Sequence, residues 1–323
     1  MVGEGADHPD RVLQEEGVNT DGSDPWQGFE RNRLALFAQH GVEGQSRRIP
    51  DHQGRTTYAV ACGDGPSPTI LIHGGLSDAS EWALLAGRLD GPLVIPDRPG
   101  YGLTYRIDYR KLDFRRAASN WLLELVDGLG VQTVDLLGAS MGGFFALAFA
   151  TSHPDRVRRL VLLGAPVGLF REIPLFLRLW GNPIVGRLIS RMKIPDAETL
   201  RKRAYTGLVA HPERIPVQLL EVALARGALS GTALASRTML HAVTSLRGLR
   251  RGLWMGEDIV HLAVPTLFLW GELDGQARPS IGAEFSRRMP EAKLTTVNDA
   301  GHMPHLDQPE GVATLIRQFL GNA

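Results

Sequence analysis

The sequence predicts an α/β protein: a mostly parallel, doubly wound sheet interrupted by an inserted helical cap domain. Three observations predict it. Short, continuous apolar runs recur at 69–72, 93–96, 134–137 and 160–163. Helix-like stretches separate them. The rhythm stops near Val167, gives way to amphipathic helical segments up to residue 262, and resumes at 266–270 and 293–297. Unbroken apolar strands are those buried on both faces, which is the habit of a parallel sheet covered by helices.

Each element follows in order. Residues 1–25 are rich in Gly, Asp and Glu and poor in large apolar side chains. Such a composition cannot offset its ordering entropy, so the segment reads as a mobile acidic tail. Residues 26–40 carry helical spacing through Phe29, Leu34, Leu36 and Phe37, and 49–62 alternate around Gly54 like a hairpin. The run at 69–72 leads through a Gly-rich turn into a helix over 80–89, and the run at 93–96 ends in Asp97-Arg-Pro-Gly-Tyr-Gly. A periodic helix covers 114–129, and 142–152 reads as a buried one. Within the insertion, 173–180, 184–192, 217–229 and 234–246 are helical, and no strand-like run stands out. A last helix spans 309–320. The expected division is a tail at 1–25, a core at 26–166 and 263–323, and a cap at 167–262.

The 323 residues hold 35 basic and 35 acidic side chains. A neutral total argues against a dedicated nucleic-acid binder, which needs a basic excess. The balance is a cancellation: residues 1–25 carry one basic and seven acidic side chains, and 166–262 carry fourteen basic and seven acidic. A basic cap reads first as a solvated face, and alternatively as a field that steers anionic substrates. The single cysteine, Cys62, allows no intrachain disulfide and no zinc site built on paired cysteines, and reads as a small core residue. No apolar run approaches the ~20 residues of a membrane span. The first eight residues lack the basic and apolar regions of a signal peptide. The expectation is a cytoplasmic protein with no membrane partner.

Gly138-Ala-Ser140-Met-Gly142 fits G-x-S-x-G between a predicted strand and a predicted helix. A side chain presented on so sharp a turn needs a strained backbone, and flanking glycines remove the clash. Ser140 is the candidate nucleophile. A serine hydroxyl needs a base to take its proton, and the base needs a carboxylate to orient it. His302, in Asp299-Ala-Gly-His-Met-Pro after the last predicted strand, is the candidate base. His305 is its competitor and reads as an exposed loop residue. Apart from His73, the remaining histidines fall in tail, helix, hairpin or insertion positions. Asp274, in Trp270-Gly-Glu-Leu-Asp, is the candidate acid, with Glu272 as competitor. Asp299 lies three residues before the base and reads as pointing elsewhere. No carboxylate follows the run 160–163 until Glu172.

A tetrahedral intermediate also needs donors for its oxyanion. One is the backbone N–H of Met141. The other falls in His73-Gly-Gly-Leu after the run 69–72, assigned to Gly75 with Leu76 as the one-residue alternative. His73 reads as a structural residue that holds this loop. Leu169, Phe170, Phe176, Leu179 and Trp180 in the cap, and Trp82 beside the loop, are expected to pack cap on sheet or to line the pocket.

On these motifs the chain resembles the α/β-hydrolase fold superfamily in its capped form, from about residue 49 to 320. The resemblance rests on His73-Gly-Gly, Asp97-Arg-Pro-Gly-Tyr-Gly, Gly138-Ala-Ser-Met-Gly-Gly, Trp270-Gly-Glu-Leu-Asp and Gly301-His302. It implies a hydrolase with no cofactor and no metal, acting by acyl transfer on a small-molecule substrate. The Asp97 turn resembles the family's D-x-x-G-x-G turn, which shapes the site edge. Epoxide hydrolases and haloalkane dehalogenases of this fold use an aspartate where this chain has Ser140. Proline iminopeptidases usually show Trp where this chain has Met141. The leading expectation is an esterase or lactonase. The alternatives are a carbon–carbon hydrolase of meta-cleavage diketo acids, a perhydrolase or haloperoxidase, and a receptor-like binding protein. The carbon–carbon branch often carries Gly-His-Trp where this chain reads Gly301-His302-Met303.

Overall fold

The computed structural model describes residues 24–192 and 194–321. The tail predicted over 1–25 lies outside them apart from Asp24 and Pro25. Those two open helix α1 (Pro25–Gln39): Asp24 accepts the amide of Trp26 and Pro25 takes the first helical position, where its missing N–H leaves no bond unmade.

The hairpin follows as β1 (Gln45–Pro50) and β2 (Thr56–Cys62), turning through Gly54 at φ 78°. The apolar runs become β3 (Thr69–Ile72), β4 (Leu93–Pro96), β5 (Val134–Ala139) and β6 (Val157–Leu163). Between β3 and β4 the expected helix is split into a 3-10 turn, Ala79–Trp82, and a one-turn helix α2 (Ala83–Ala86). Helix α3 (Phe114–Gly128) precedes β5, and α4 (Met141–Ser152) follows it.

The stretch between β6 and the next strand of this sheet is mainly helical. It holds α5 (Leu175–Trp180), α6 (Pro183–Ile189), α7 (Ala197–Leu200), α8 (Val217–Ala228), α9 (Thr232–Val243) and, before the sheet resumes, α10 (Gly256–Ile259). Sequence reasoning missed a two-residue hairpin here, β7 (Thr244–Ser245) and β8 (Gly248–Leu249). It ends α9 earlier than the predicted 246. Gly248, at φ 108°, lets the hairpin press against Arg171, whose carbonyl accepts Leu249 N–H at 2.9 Å. So short a segment has no periodicity to read. The chain closes with β9 (Thr266–Gly271), α11 (Pro279–Arg288), β10 (Ala292–Val297), α12 (Pro304–Asp307) and α13 (Pro309–Leu320).

The large sheet has eight strands in the order β1-β2-β4-β3-β5-β6-β9-β10. The β1–β2 and β2–β4 pairs are antiparallel and the rest parallel. Side chains alternate between two apolar layers. Ile70, Ile72, Leu136, Leu160, Leu162 and Phe268 pack with α3 and α4 on one face. Leu71, Ile95, Leu137, Val161, Leu163 and Leu269 pack with α1 and α13 on the other. Helix α4 is buried from Met141 through Ala150, which is why its sequence is apolar all round.

A buried ion pair ties the first helix to the sheet. Arg33 Nη1 lies 2.5 Å from Asp97 Oδ2, and neither side chain is exposed. The same carboxylate accepts Ala79 N–H and Leu103 N–H, each at 2.9 Å. A Cβ at Gly102 would stand 2.1 Å from Asp97 Oδ2, so the turn after β4 needs glycine there. Arg33→Met is expected to lower stability by about 3–5 kcal/mol, because it leaves Asp97 buried and unpaired. Chemical denaturation measures it, and a loss under about 1 kcal/mol would mean the pair is dispensable.

Candidate active site

Ser140 is the single residue between β5 and α4. Its backbone sits at φ 49°, ψ −106°, a conformation that costs of order 1–3 kcal/mol for a residue with a Cβ. Close packing holds it there. A Cβ at Gly138 would lie 2.6 Å from Gly142 O, and one at Gly142 would lie 2.0 Å from Ile72 O. Ser140 N–H donates to Leu163 O at 3.1 Å, and its carbonyl accepts Phe144 N–H and Val167 N–H. Among the described residues its hydroxyl has no hydrogen-bond partner.

Asp274 and His302 meet at the same carboxyl edge of the sheet. His302 Nδ1 lies 3.1 and 3.0 Å from the two Asp274 oxygens. The Asp274 carboxylate also accepts Ala165 N–H at 3.1 Å, Gln276 N–H at 2.8 Å and Ala277 N–H at 3.3 Å. An acceptor-only carboxylate facing Nδ1 makes that nitrogen the protonated one and leaves the lone pair on Nε2. His302 is 5% exposed. Its loop crosses Gly164, at φ 66°, so closely that a Cβ there would stand 2.1 Å from His302 O. Gly164 follows Leu163, the partner of Ala139, and Ala139 precedes Ser140. The Asp274–His302 bond is thus formed beside Ser140, and the Ser140–His302 bond is not. Glu272 is exposed, and its carboxylate faces Asp299 N–H at 3.4 Å.

The histidine loop is clasped by the helical insertion. Asp307 accepts Gly301 N–H at 2.8 Å, Ala210 N–H at 2.9 Å and His211 N–H at 3.1 Å. Met303 N–H donates to Leu208 O at 2.9 Å. A Cβ at Gly301 would lie 2.9 Å from Ala210 N. Asp299, at φ 52°, turns away from His302 and pairs with His211 at 2.7 Å. Sequence reasoning did not single out Asp307, and nothing in its local spacing marks it.

The loop after β3 is fixed by buried charged groups. Arg98 Nη2 donates to Gly74 O at 2.6 Å and to Gly75 O at 2.9 Å, and Nε donates to His73 O at 3.2 Å. Arg98 is fully buried and has no carboxylate partner among the described residues. In a trans peptide the C=O and the following N–H point in opposite directions. Holding the carbonyls of Gly74 and Gly75 therefore turns the N–H groups of Gly75 and Leu76 to the side away from the guanidinium. A Cβ at Gly75 would be 3.8 Å from Met141 Cβ, which puts this loop beside the start of α4. Met141 N–H has no intrahelical acceptor, because Met141 is the first residue of that helix. Met239 of α9 covers the loop, with its sulfur 3.6 Å from Arg98 Nη1 and 3.5 Å from the Tyr101 hydroxyl.

His73 is fully buried. Nδ1 faces Gly74 O at 2.9 Å, and Nε2 accepts Arg98 N–H at 2.9 Å. Burial first, and the Arg98 charge second, hold its pKa well below the ordinary 6.5, so it stays neutral. On the other side of the loop, both Glu81 oxygens accept Gly74 N–H at 3.1 Å. Two expectations need correction here. His305 is fully buried rather than exposed, stacked on Trp82 at 4.6 Å with Nε2 3.3 Å from Glu81. The one-turn helix α12 directs it inward. Phe176 and Leu179 are not packed on the sheet: they are 57% and 38% exposed. Trp82 is a core residue, as are Leu169 and Phe170. Among the described residues no group of three or more His, Cys, Asp or Glu is placed to hold a metal ion.

Residues 69–315 match the model of the alpha/beta hydrolase family. A 2-hydroxy-6-oxononadienedioate/2-hydroxy-6-oxononatrienedioate hydrolase of Cupriavidus pinatubonensis is 26% identical over 295 residues, covering 86% of this chain and 96% of that protein. One of the same name from Klebsiella pneumoniae is 28% identical, covering 84% and 94%. Among solved structures, carboxylesterase CesB of Bacillus subtilis superposes with TM-score 0.74 at 18% identity, covering 93% of this chain and all of that one. The 2-hydroxy-6-oxo-6-phenylhexa-2,4-dienoate hydrolase of a Rhodococcus species superposes with TM-score 0.71 at 19% identity, covering 87% and 99%. At these identities the structural likeness establishes the fold.

The His211–Asp299 pair has a defined pH window. The Asp299 hydrogen bond raises His211 above its ordinary 6.5, and the same bond lowers Asp299 below 3.8. The raised histidine stabilises the fold at low pH, and that contribution is lost as pH climbs through its raised value. The lowered carboxylate stabilises above its ordinary value, and its contribution is lost as pH falls through the lowered one. The clasp is therefore strongest between those limits. An NMR titration is expected to place the His211 ring above 6.5, and Asp299→Asn to bring it down. An unchanged midpoint in the variant would sever the pair.

Proposed function

The chain belongs to the alpha/beta hydrolase family, and within it we propose a serine hydrolase that cleaves a carboxylic ester or lactone of a small, partly apolar substrate through an acyl-enzyme on Ser140. The observation that carries this reading is the Asp274–His302 pair, 3.0 Å apart, at the sheet edge where the strained turn presents Ser140.

The chemistry proceeds in two halves. His302 Nε2 takes the Ser140 proton as Oγ attacks the substrate carbonyl carbon. Asp274 stabilises the imidazolium that results and keeps its own charge. The carbonyl oxygen becomes an oxyanion and accepts N–H groups from Met141 and Gly75, with Leu76 N–H on the same side of the loop. His302 then returns its proton to the leaving alkoxide as the C–O bond breaks. Water, deprotonated by His302, repeats the attack on the acyl-enzyme, and the acid leaves with Ser140 restored.

A second reading is hydrolysis of a carbon–carbon bond in a meta-cleavage diketo acid. The names of the curated relatives from Cupriavidus and Klebsiella favour it. The same triad serves, with a carbanion in place of the alkoxide.

Ser140→Ala is expected to reduce kcat/KM on a p-nitrophenyl ester by about 10⁴–10⁶. Unchanged activity in that variant would end the triad assignment, and failure of a phosphonate to label the intact protein would favour a binding protein. A panel of esters, lactones and a meta-cleavage diketo acid, each run against Ser140→Ala, decides between the two bonds.

Arg98 acts in this reading as a positioning residue. Arg98→Lys keeps the charge and loses the fork that holds two successive carbonyls. It is expected to lower kcat by about 10²–10³, the scale of one lost oxyanion donor, while KM changes far less. Binding of a boronic acid that mimics the tetrahedral intermediate should weaken in parallel. Equal kcat in the lysine variant would remove the role.

A further inference from the structure

Seven large apolar side chains stand exposed within one short part of the insertion. They are Leu175, Phe176 and Leu179 of α5, Ile184 and Leu188 of α6, and Met192 and Ile194 just beyond. Ile184 is 82% exposed and Leu188 66%. Leu246, at the tip of the β7–β8 hairpin, is 78% exposed, and its carbonyl accepts Arg178 of α5 at 2.8 Å. Exposed patches of this kind mark interaction sites.

The charge around this patch is one-sided. Residues 173–195 contain four basic side chains and no Asp or Glu. Elsewhere surface arginines find acids, as in Arg110–Asp108, Arg156–Asp127, Arg201–Glu198 and Arg288–Glu257. Among the described residues Arg178, Arg187 and Arg191 form no ion pair. Ile184, Arg187, Leu188 and Arg191 fall at i, i+3, i+4 and i+7, so apolar and guanidinium groups share one stripe, and these four with Pro183 line a shallow groove.

We propose that this α5–α6 face docks on the surface of a bilayer containing anionic phospholipid. The aliphatic side chains enter the boundary of the acyl region, and the arginines keep their heads among the headgroup phosphates on extended stems. A second copy of the chain is a poor occupant, because it would press two unneutralised sets of guanidinium groups together. The expectation of no membrane partner rested on the lack of a spanning segment. Among the described residues no helix is long and apolar enough to cross a membrane, and the surface proposed here lies on one side of it. The proposal stands apart from the reaction assigned to Ser140.

The test is co-sedimentation of the full chain with vesicles of phosphatidylcholine alone and of phosphatidylcholine with phosphatidylglycerol. Binding is expected to be about tenfold or more stronger with the anionic lipid and to fall as salt rises. The exposed double variant Ile184→Glu/Leu188→Glu should lose that binding, and Arg187→Ser/Arg191→Ser should lose its salt dependence. Both should turn over p-nitrophenyl acetate like the unmodified chain, which reports that they fold. Ser140→Ala should still bind vesicles, so a failed hydrolase assignment leaves this result legible. Equal sedimentation with both vesicles, or no effect of the glutamates, overturns the proposal. So does a dimer in solution that the glutamates dissociate, or retention on poly-glutamate without vesicle binding, which would assign the face to an acidic protein.

Discussion

The site depends on how closely one helix can approach the sheet. Where a Cβ at Gly142 would stand, the carbonyl of Ile72 is only 2.0 Å away. That contact lets α4 begin one residue after β5 and forces Ser140 into its strained turn. It also brings the start of α4 beside the loop that follows β3. The turn at Ser140 and the meeting of α4 with the β3 loop are consequences of the same close approach.

The loops around Ser140 are rich in glycine, and glycine cannot hold a shape by itself. Buried charged groups do so by bonding the main chain. Arg98 holds the carbonyls of His73, Gly74 and Gly75, and Glu81 holds Gly74 N–H. Asp97 holds the amides of Ala79 and Leu103, and Asp307 holds those of Gly301, Ala210 and His211. A charged acceptor or donor bonds a peptide group more strongly than a neutral one, and in a buried setting it tolerates few alternatives. Preorganisation of this kind is what an oxyanion site requires.

Elements whose signal is local were legible in the sequence. The apolar runs at 69–72, 93–96 and 134–137 became strands at or beside their expected bounds, and Ser140, Asp274 and His302 each follow the carboxyl end of one strand. What stayed hidden depends on contacts between distant residues. Asp97-Arg-Pro-Gly reads as a turn, and only the folded chain brings Arg98 under the loop that starts at His73. Asp307 reaches Ala210 across 97 residues of sequence. His305 looked like a loop residue because four-residue α12 is too short to show periodicity, yet that turn buries its ring on Trp82. Phe176 and Leu179 looked like core because burial is the usual fate of such side chains.

The clasp made by Asp307 and Leu208 has a mechanical meaning. It fastens the segment at 208–211 to the loop that bears His302. Elsewhere on the insertion α9 lays Met239 over Gly75 and packs against α5 and α6. An insertion that lifted away on the side of 208–211 would pull His302 away from Asp274.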